Sequence, residues 1–276
     1  MMKTRQEIKD LAKEGMAHQR GASILILLVF MLIYFGGGLL GVIPILGALI
    51  VWATIFFVDM PLMVGMYGSY FKVYNKEQTS VGDMFSCFSV NYMRKVGGMA
   101  WMLLWVFIWS LIAIPIAIVG SLAVGYNMLA ADLFFGSAGA AGSAGAAGGT
   151  LMFFFLLMIA AWIPAIIKGI SYSMTAFILE HFPSVSATDA LKVSMRITHG
   201  HKLDIFVFCL SFIGWFLLSA LTFGILYIVY VGPYFYTSFS GLYQDLRDNA
   251  LAEGRITREE LGMDAPQPVQ EPVVIS

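Results

Sequence analysis

Runs of apolar residues longer than about 18 constrain this chain more than any other feature of its sequence. About 20 residues of α-helix cross the roughly 30 Å hydrocarbon core of a bilayer, so each run predicts a transmembrane helix. A soluble fold would have to bury all of these runs. Only 12% of the residues are charged, whereas soluble domains have about 25%. Together with a mean hydropathy of +0.81, this composition predicts an all-α polytopic membrane bundle.

The order of apolar and polar segments predicts six transmembrane helices with amphipathic cytoplasmic helices. The spans are placed at about 21–40, 48–72, 97–121, 151–178, 203–221 and 225–244. Residues 1–20 are predicted to form an amphipathic cytoplasmic helix at the membrane surface. Residues 122–150, which include the tandem sequence GSAGAA, are predicted to form a flexible extracytoplasmic linker. Residues 247–276, rich in Pro and Glu toward their end, are predicted to form a disordered cytoplasmic tail.

The positive charges predict the orientation of the six spans. Of the 16 Lys and Arg residues, 15 fall in the N-terminal segment, in residues 72–95, in residues 192–202 or in the tail. Six spans put these four clusters on one side, and the remaining residue, Lys168, lies near that same end of its span. The positive-inside rule then places both termini in the cytoplasm, whereas five or seven spans would leave one cluster outside.

Two serines predict the starts of short amphipathic helices on the cytoplasmic side. Ser80 and Ser186 are each followed three residues later by an aspartate, which is the spacing of a capping box. Beyond these caps, Phe85 and Phe88 lie at helical spacing, and Leu191 shares a face with other apolar residues. These faces are candidate docking surfaces for another membrane protein.

Asp59 is the strongest single candidate for a functional residue. It lies near the middle of the second predicted span, where a charge is costly unless it is paired, protonated or in contact with water. Pro61 follows two residues later, and the kink at a proline frees a backbone carbonyl that could take part in a proton, cation or substrate site. Lys168 is the candidate partner of the carboxylate. The alternative is a neutral or hydrogen-bonded carboxyl that holds helices together.

Basic residues near the span ends are candidates for contact with lipid headgroups. These candidates are Arg94, Lys95, Arg196, His199, His201 and Lys202. Solvated anchors of the positive-inside type are the alternative interpretation. The His-Gly-His sequence is a weak metal signal without a carboxylate or cysteine at ligand spacing, so no metal site is predicted.

The sequence contains no pattern that defines a reaction. It lacks a Ser-centred nucleophile elbow, a metalloprotease helix, a phosphate-binding loop and paired catalytic carboxylates. We therefore predict neither enzymatic activity nor a cofactor. The net charge of −1 gives no reason to expect nucleic acid as a partner. Cys87 lies in a polar segment and Cys209 in an apolar one, so reduced thiols are expected.

Six segments carry a resemblance to known sequences. They are TRQEIKDLAKE from Thr4, GDMFSCF from Gly82, IPAIIKGISYSM from Ile163, ALKVSMRITHGHK from Ala190, LSFIGWFLL from Leu210 and GPYFYTSFSGLYQDL from Gly232. These segments resemble bacterial integral membrane proteins catalogued as domain of unknown function 975. The resemblance covers most of residues 3–246 and excludes the linker and the tail. It implies a multi-helix membrane fold, distantly similar to the membrane portion of some glycerophosphodiester phosphodiesterases, and it implies no activity.

These features predict a non-enzymatic component of a bacterial cytoplasmic membrane. Its expected partners are the lipid bilayer and a small amphiphile, lipid or peptide that it binds or helps to move, with Asp59 and the kinked spans lining the site. The alternative is a structural or assembly partner of another membrane protein, docked through the cytoplasmic amphipathic helices. An enzyme acting at the membrane surface is the third interpretation.

Overall fold

The chain is described by a computed structural model that covers residues 3–43, 46–135 and 140–263. These residues form thirteen α-helices, two π-helical segments and short 3-10 turns, and they contain no β-strand. The prediction of an all-α helical fold is therefore confirmed. The chain divides into two compact units. The first consists of Met1–Trp101 and Ser173–Ser276, and the second of Met102–Tyr172.

The helices follow one another along the chain with short connections. They are α1 (Arg5–His18), α2 (Arg20–Leu39), α3 (Gly47–Thr54), α4 (Met60–Tyr74), α5 (Val81–Phe85), α6 (Tyr92–Ser110), α7 (Ala113–Phe135), α8 (Ala140–Tyr172), α9 (Thr175–His181), α10 (Ala187–Ile197), α11 (Lys202–Leu210), α12 (Ile213–Leu221) and α13 (Gly232–Ala252). The π-helical segments Ile55–Asp59 and Tyr227–Val231 lead into α4 and α13. Each of these two helices has a proline as its second residue, Pro61 and Pro233.

Five helical stretches of the described residues are long and apolar enough to cross a membrane. They are Arg20–Val42, Gly47–Tyr74, Tyr92–Ala130, Gly148–His181 and Lys202–Leu221. Each stretch contains one of the first five predicted spans. Large apolar side chains such as Leu39, Leu122 and Leu221 are exposed along them, as expected for helices that face lipid.

The sixth predicted span, residues 225–244, is not among these five stretches. Its apolar sequence is diluted by Tyr, Ser, Thr and Gly, and α13 is instead among the most buried helices of the first unit. It runs back along the fifth stretch, since the rings of Phe212 and Tyr234 lie 5.2 Å apart. The rings of Trp215 and Tyr230 lie 5.5 Å apart.

Residues 202–221 and 225–244 therefore form an antiparallel hairpin. The chain reverses at Phe223 and Gly224, whose φ angles of 52° and 82° lie in the left-handed region. At the other end, His201 Nε2 lies 3.3 Å from Asn249 Nδ2. The two halves of this hairpin therefore lie side by side along most of their length.

Helix α1 forms within the predicted residues 1–20 and packs closely against other helices of the first unit. Thr4 and Glu7 make a reciprocal capping box at its start. Ile8, Ala12 and Met16 are buried on the face that meets α4 and α13. Helix α1 is therefore part of the packed core and not only a helix lying on the membrane.

Ser80 starts a helix as predicted, but this helix is not a free surface element. The backbone N–H of Ser80 donates to Asp83 Oδ2 at 2.7 Å and completes the capping box. Helix α5 then packs on α4, and Met84 and Cys87 are fully buried. The approach is close because Gly65 of α4 has no side chain, and a Cβ there would overlap the backbone carbonyl of Met84.

We expect the Cys87 thiol to resist alkylation in the folded protein. Burial raises the pKa of this thiol to about 12, so almost no reactive thiolate exists at neutral pH. In a Cys209→Ser variant, mass spectrometry after maleimide treatment should find Cys87 modified only once the protein is unfolded. A matched control moves the thiol to the exposed Ser89 position in a Cys87→Ser/Cys209→Ser/Ser89→Cys variant, which should label without unfolding. Equal labelling of both variants would contradict this packing.

Helix α10 starts at Ser186, as its capping sequence predicts. The Asp189 backbone N–H donates to Ser186 Oγ at 3.1 Å. Its apolar face, including Leu191, is buried within the first unit. The docking surface predicted at Leu191 is therefore wrong, because the protein's own residues cover it. The rings of Phe85 and Phe88 are partly exposed and stack 6.2 Å apart, so that part of the docking prediction stays a prediction.

Residues 122–150 do not form the linker that their composition predicted. Helix α7 continues to Phe135 and α8 begins at Ala140, so the described residues of this range are helical. Asn127 Nδ2 donates to Thr150 Oγ1 at 3.1 Å and joins α7 to α8. Alanine is the best helix former, and in lipid a helix satisfies the backbone polar groups that a flexible linker would leave open. Residues 136–139 lie outside the described residues.

The first part of the predicted disordered tail is packed structure. Helix α13 extends to Ala252, and Ile256 and Leu261 beyond it are buried. Arg255 Nη1 donates to three backbone carbonyls at the end of α10, those of Arg196, Ile197 and His199, at 2.7, 3.1 and 2.9 Å. A cation at the C-terminal end of a helix also complements the helix dipole. The predicted disorder is thus wrong for residues 247–263, and residues 264–276 lie outside the described residues.

Candidate functional site

Asp59 lies in the first π-helical segment, directly before α4. Its side chain is buried, with 7% of the residue exposed, and Oδ1 has no hydrogen-bond partner among the described residues. Pro61 lacks the N–H that would bond the carbonyl of Phe57 in a regular helix. Tyr92 Oη donates to that carbonyl at 2.5 Å. The carbonyl that the proline frees is therefore already bonded, and Asp59 is left as a buried carboxyl without a described partner.

The predicted partner of Asp59, Lys168, belongs to the second unit, whereas Asp59 belongs to the first. Lys168 Nζ lies 4.9 Å from the centroid of the Trp109 ring, a cation–π contact within α6 and α8 of the second unit. An ion pair between Lys168 and Asp59 stays a prediction. The same holds for the proposed role of Asp59 and Pro61 in a ligand or proton site.

The sequence predicted that Arg94 and Lys95 contact lipid headgroups, but both side chains are instead bonded to other residues of the first unit. The guanidinium of Arg94 donates to the backbone carbonyls of Leu179, in the last turn of α9, and of Val185, beyond its end. Lys95 Nζ lies 2.7 Å from Glu180 Oε2, a close ion pair without regular hydrogen-bond geometry. The Lys95 and Glu180 side chains are only 4% and 18% exposed, so both cations hold the start of α6 against α9.

The other four predicted headgroup residues lie around the end of α10 and the start of α11. Arg196 pairs with Glu260. His201 contacts Asp204 and Asn249 through its two ring nitrogens, each at 3.3 Å. The exposed His199 and the partly exposed Lys202 have no side-chain hydrogen bond or ion pair among the described residues. Headgroup contact therefore remains a prediction for His199 and Lys202.

A pocket that the sequence did not predict lies where α1 meets α2 and the second π-helical segment. We call it the interfacial pocket. It has a volume of about 330 Å³ and is lined by Lys13, Met16, Arg20, Ile24, Val229 and Tyr230. Arg20 is the first residue of the stretch Arg20–Val42 and its only charged one, so the pocket lies at the polar end of that stretch.

The interfacial pocket combines two cations with an apolar wall. Lys13 Nζ lies 3.2 Å from Asp10 Oδ1, and this hydrogen bond raises the pKa of the ammonium, which therefore stays charged. The exposed guanidinium of Arg20 has no hydrogen bond or ion pair among the described residues. Met16 and Ile24 supply the apolar surface. An amphiphile with an anionic head and an acyl chain matches this arrangement chemically.

The sequence did contain a signal for this pocket. Lys13, Met16, Arg20 and Ile24 are three or four residues apart, which places them along one stripe where α1 leads into α2. Each cation on its own is indistinguishable from a solvated anchor of the positive-inside type. Only the fold shows that Val229 and Tyr230, more than 200 positions later, close the other side.

The described residues define a polytopic α-helical membrane protein with a mixed basic and apolar pocket at the end of a candidate span. Residues 1–250 match the family described as Protein of unknown function (DUF975). The chain therefore belongs to this family, and the resemblance of the six sequence segments is confirmed. No curated protein and no solved structure matches the chain.

Proposed function

We propose that the protein is a non-enzymatic membrane component that binds an amphiphile with an anionic head in the interfacial pocket. The observation that carries this proposal is the position of Lys13 and Arg20 beside an apolar wall at the end of a candidate span. A phosphate-bearing lipid head would pair with the two cations, and its chain would lie along Met16 and Ile24. Arg20 supports the proposal because it has no competing acidic partner among the described residues.

The proposed location is a bacterial cytoplasmic membrane, with both termini on the cytoplasmic side. The clustering of the positive charges supports six crossings, as the positive-inside rule requires. The antiparallel hairpin of residues 202–221 and 225–244 also supports an even number of membrane crossings. On this side, anionic lipids attract each Lys or Arg near the surface with about 1 kcal/mol. The interfacial pocket then faces the leaflet that supplies its ligand.

The experiment that tests this function is native mass spectrometry of the protein purified in mild detergent, with bound phospholipid as the readout. A Lys13→Gln/Arg20→Gln variant is expected to bind anionic phospholipid about thirtyfold more weakly, because two cations contribute about 1 kcal/mol each. The matched control is Arg5→Gln/Lys192→Gln, which also removes two exposed cations but leaves the pocket intact. This control should keep its phospholipid.

An Asp59→Asn variant separates the interfacial pocket from the site predicted at the second span. Asp59 does not line the interfacial pocket, so the variant should retain phospholipid like the wild-type protein. Loss of phospholipid from Asp59→Asn alone would place the amphiphile at the second span. Equal phospholipid content in the Lys13/Arg20 variant and its control would contradict the proposed function.

A further inference from the structure

A second cavity lies in the first unit and is lined by several charged and hydroxyl side chains together with apolar surface. We call it the polar cavity. Its volume is about 280 Å³, and its polar side chains are Ser69, Lys72, Glu77, Asp83, Ser86, Glu180 and His181. These residues come from α4, from the segment around α5 and from the end of α9. None of them lines the interfacial pocket, so the polar cavity is independent of the proposed amphiphile site.

Two ion pairs fix three charged side chains of the polar cavity, those of Lys72, Asp83 and Glu180. Lys72 Nζ lies 2.7 Å from Asp83 Oδ1, and Lys95, behind the wall, pairs with Glu180. Glu180 reaches its position because Gly68 leaves room for it, since a Cβ at Gly68 would lie 2.6 Å from Glu180 Cγ. The cavity thus contains the ammonium of Lys72 and the carboxylate of Glu180, and the packing and ion pairs of the fold hold both groups in place.

The polar cavity retains unused hydrogen-bonding capacity. Lys72 has three N–H donors and uses one of them on Asp83. The hydroxyls of Ser69 and Ser86 donate to the carbonyls of Gly65 and Asp83, which leaves their lone pairs available as acceptors. His181 Nδ1 is buried and has no hydrogen-bond partner among the described residues. A buried polar atom without a partner is rare in proteins and requires an explanation.

The charge pattern selects the chemical class of the ligand. A simple anion would meet Lys72 but would also face the carboxylates of Glu77, Asp83 and Glu180, whereas a simple cation would meet these carboxylates but would leave the free N–H groups of Lys72 without an acceptor. Only a molecule that carries both charges satisfies both walls at once. We propose that the polar cavity binds a small zwitterion in which a primary ammonium and an oxyanion are separated by a few bonds.

In this arrangement the ammonium of the ligand pairs with Glu180 and its oxyanion with the free N–H groups of Lys72. Ser69 and Ser86 accept further hydrogen bonds from the ammonium. The volume of about 280 Å³ lies near the lower limit of small-molecule sites. It accommodates a free amino acid or the phosphoethanolamine head of a lipid, which share the proposed chemistry.

Thermal unfolding of the full-length protein in phosphatidylglycerol nanodiscs tests the zwitterion site. Glycine and phosphoethanolamine serve as zwitterionic probes, and acetate and methylammonium as probes with one charge each, all at equal concentration and ionic strength. We expect at least one zwitterion to raise the Tm by about 2 °C or more, as a ligand that binds only the folded state does. A rise with glycine identifies a free solute, and a rise with phosphoethanolamine alone identifies a lipid head.

Variants of the two charged walls decide between binding in the polar cavity and binding elsewhere. Lys72→Gln and Glu180→Gln should each abolish the rise in Tm, whereas Lys76→Gln, which removes an exposed cation outside the cavity, should keep it. If Glu180→Gln does not fold because Lys95 is left unpaired, Lys72→Gln still gives the answer, since Lys72 is 40% exposed. No rise with either zwitterion, an equal rise with acetate or methylammonium, or an unchanged rise in Lys72→Gln would overturn the proposal.

Discussion

Replacing Gly65 with alanine is expected to destabilise the protein by about 3 kcal/mol, at the upper end of the cost of overpacking. The new Cβ would overlap the backbone carbonyl of Met84 and would lie 3.1 Å from Cys87 Cβ. Helix α5 cannot move away freely, because the ion pair between Lys72 and Asp83 and the burial of Met84 hold it on α4. The free energy of unfolding, measured in mixed detergent micelles, checks this result.

The matched control for Gly65→Ala is Gly36→Ala in α2. Gly36 is also helical, but a Cβ there would have no neighbouring atom within 4 Å. Alanine is favoured over glycine in a helix by about 1 kcal/mol, so this variant should be as stable as the wild type or more stable. Similar free energies of unfolding for the two variants would mean that the segment after α4 does not pack on Gly65.

The membrane fold could be predicted from the sequence because one force dominates it. An apolar run of about 20 residues has few alternatives to a transmembrane helix, and the first five predicted spans lie inside the five helical stretches. The caps at Ser80 and Ser186 were also predictable, since a cap depends only on residues three positions apart. Local rules worked where local interactions decide the structure.

Predictions from the sequence were wrong where contacts between residues far apart along the chain decide the structure. The composition of residues 247–263 indicates disorder, yet Arg255 donates hydrogen bonds to carbonyl groups at the end of α10 and Ile256 is buried. Residues 122–150 read as a linker because Gly, Ser and Ala form flexible linkers in water, whereas α7 and α8 stabilise each other as a helical pair. Neither the contacts of residues 247–263 nor the pairing of α7 with α8 can be identified from residue types alone.

The candidate sites also differ in whether neighbouring residues or residues far apart along the chain determine them. Asp59 stands out in the sequence because it is an acid in the middle of an apolar run, and the structure buries it, while its role in a ligand or proton site stays a prediction. Arg94 and Lys95 were misjudged because a basic pair at a span end is normally a lipid anchor, and their true partners lie about 85 residues later. The interfacial pocket and the polar cavity were missed because each combines residues from at least three separate segments.

Breaking the ion pair between Lys95 and Glu180 from one side is expected to have the largest effect on stability, about 3–5 kcal/mol. The two side chains are only 4% and 18% exposed, so Glu180→Gln leaves a buried ammonium and Lys95→Met leaves a buried carboxylate. The Lys95→Met/Glu180→Gln double variant leaves no unpaired charge and should regain most of the loss. Unfolding in mixed micelles gives the four free energies of this double-mutant cycle.

An exposed ion pair provides the control for this cycle. Lys192 and Asp189 lie 2.9 Å apart, but their side chains are 66% and 50% exposed, so Lys192→Met should cost less than about 1 kcal/mol. The contrast depends on solvation, because the exposed Asp189 is surrounded by water once its partner is gone, whereas Lys95 and Glu180 are mostly buried. If the two losses in the Lys95 and Glu180 cycle simply add, the pair is not coupled, and Lys95 would then be the solvated anchor that its sequence position indicates.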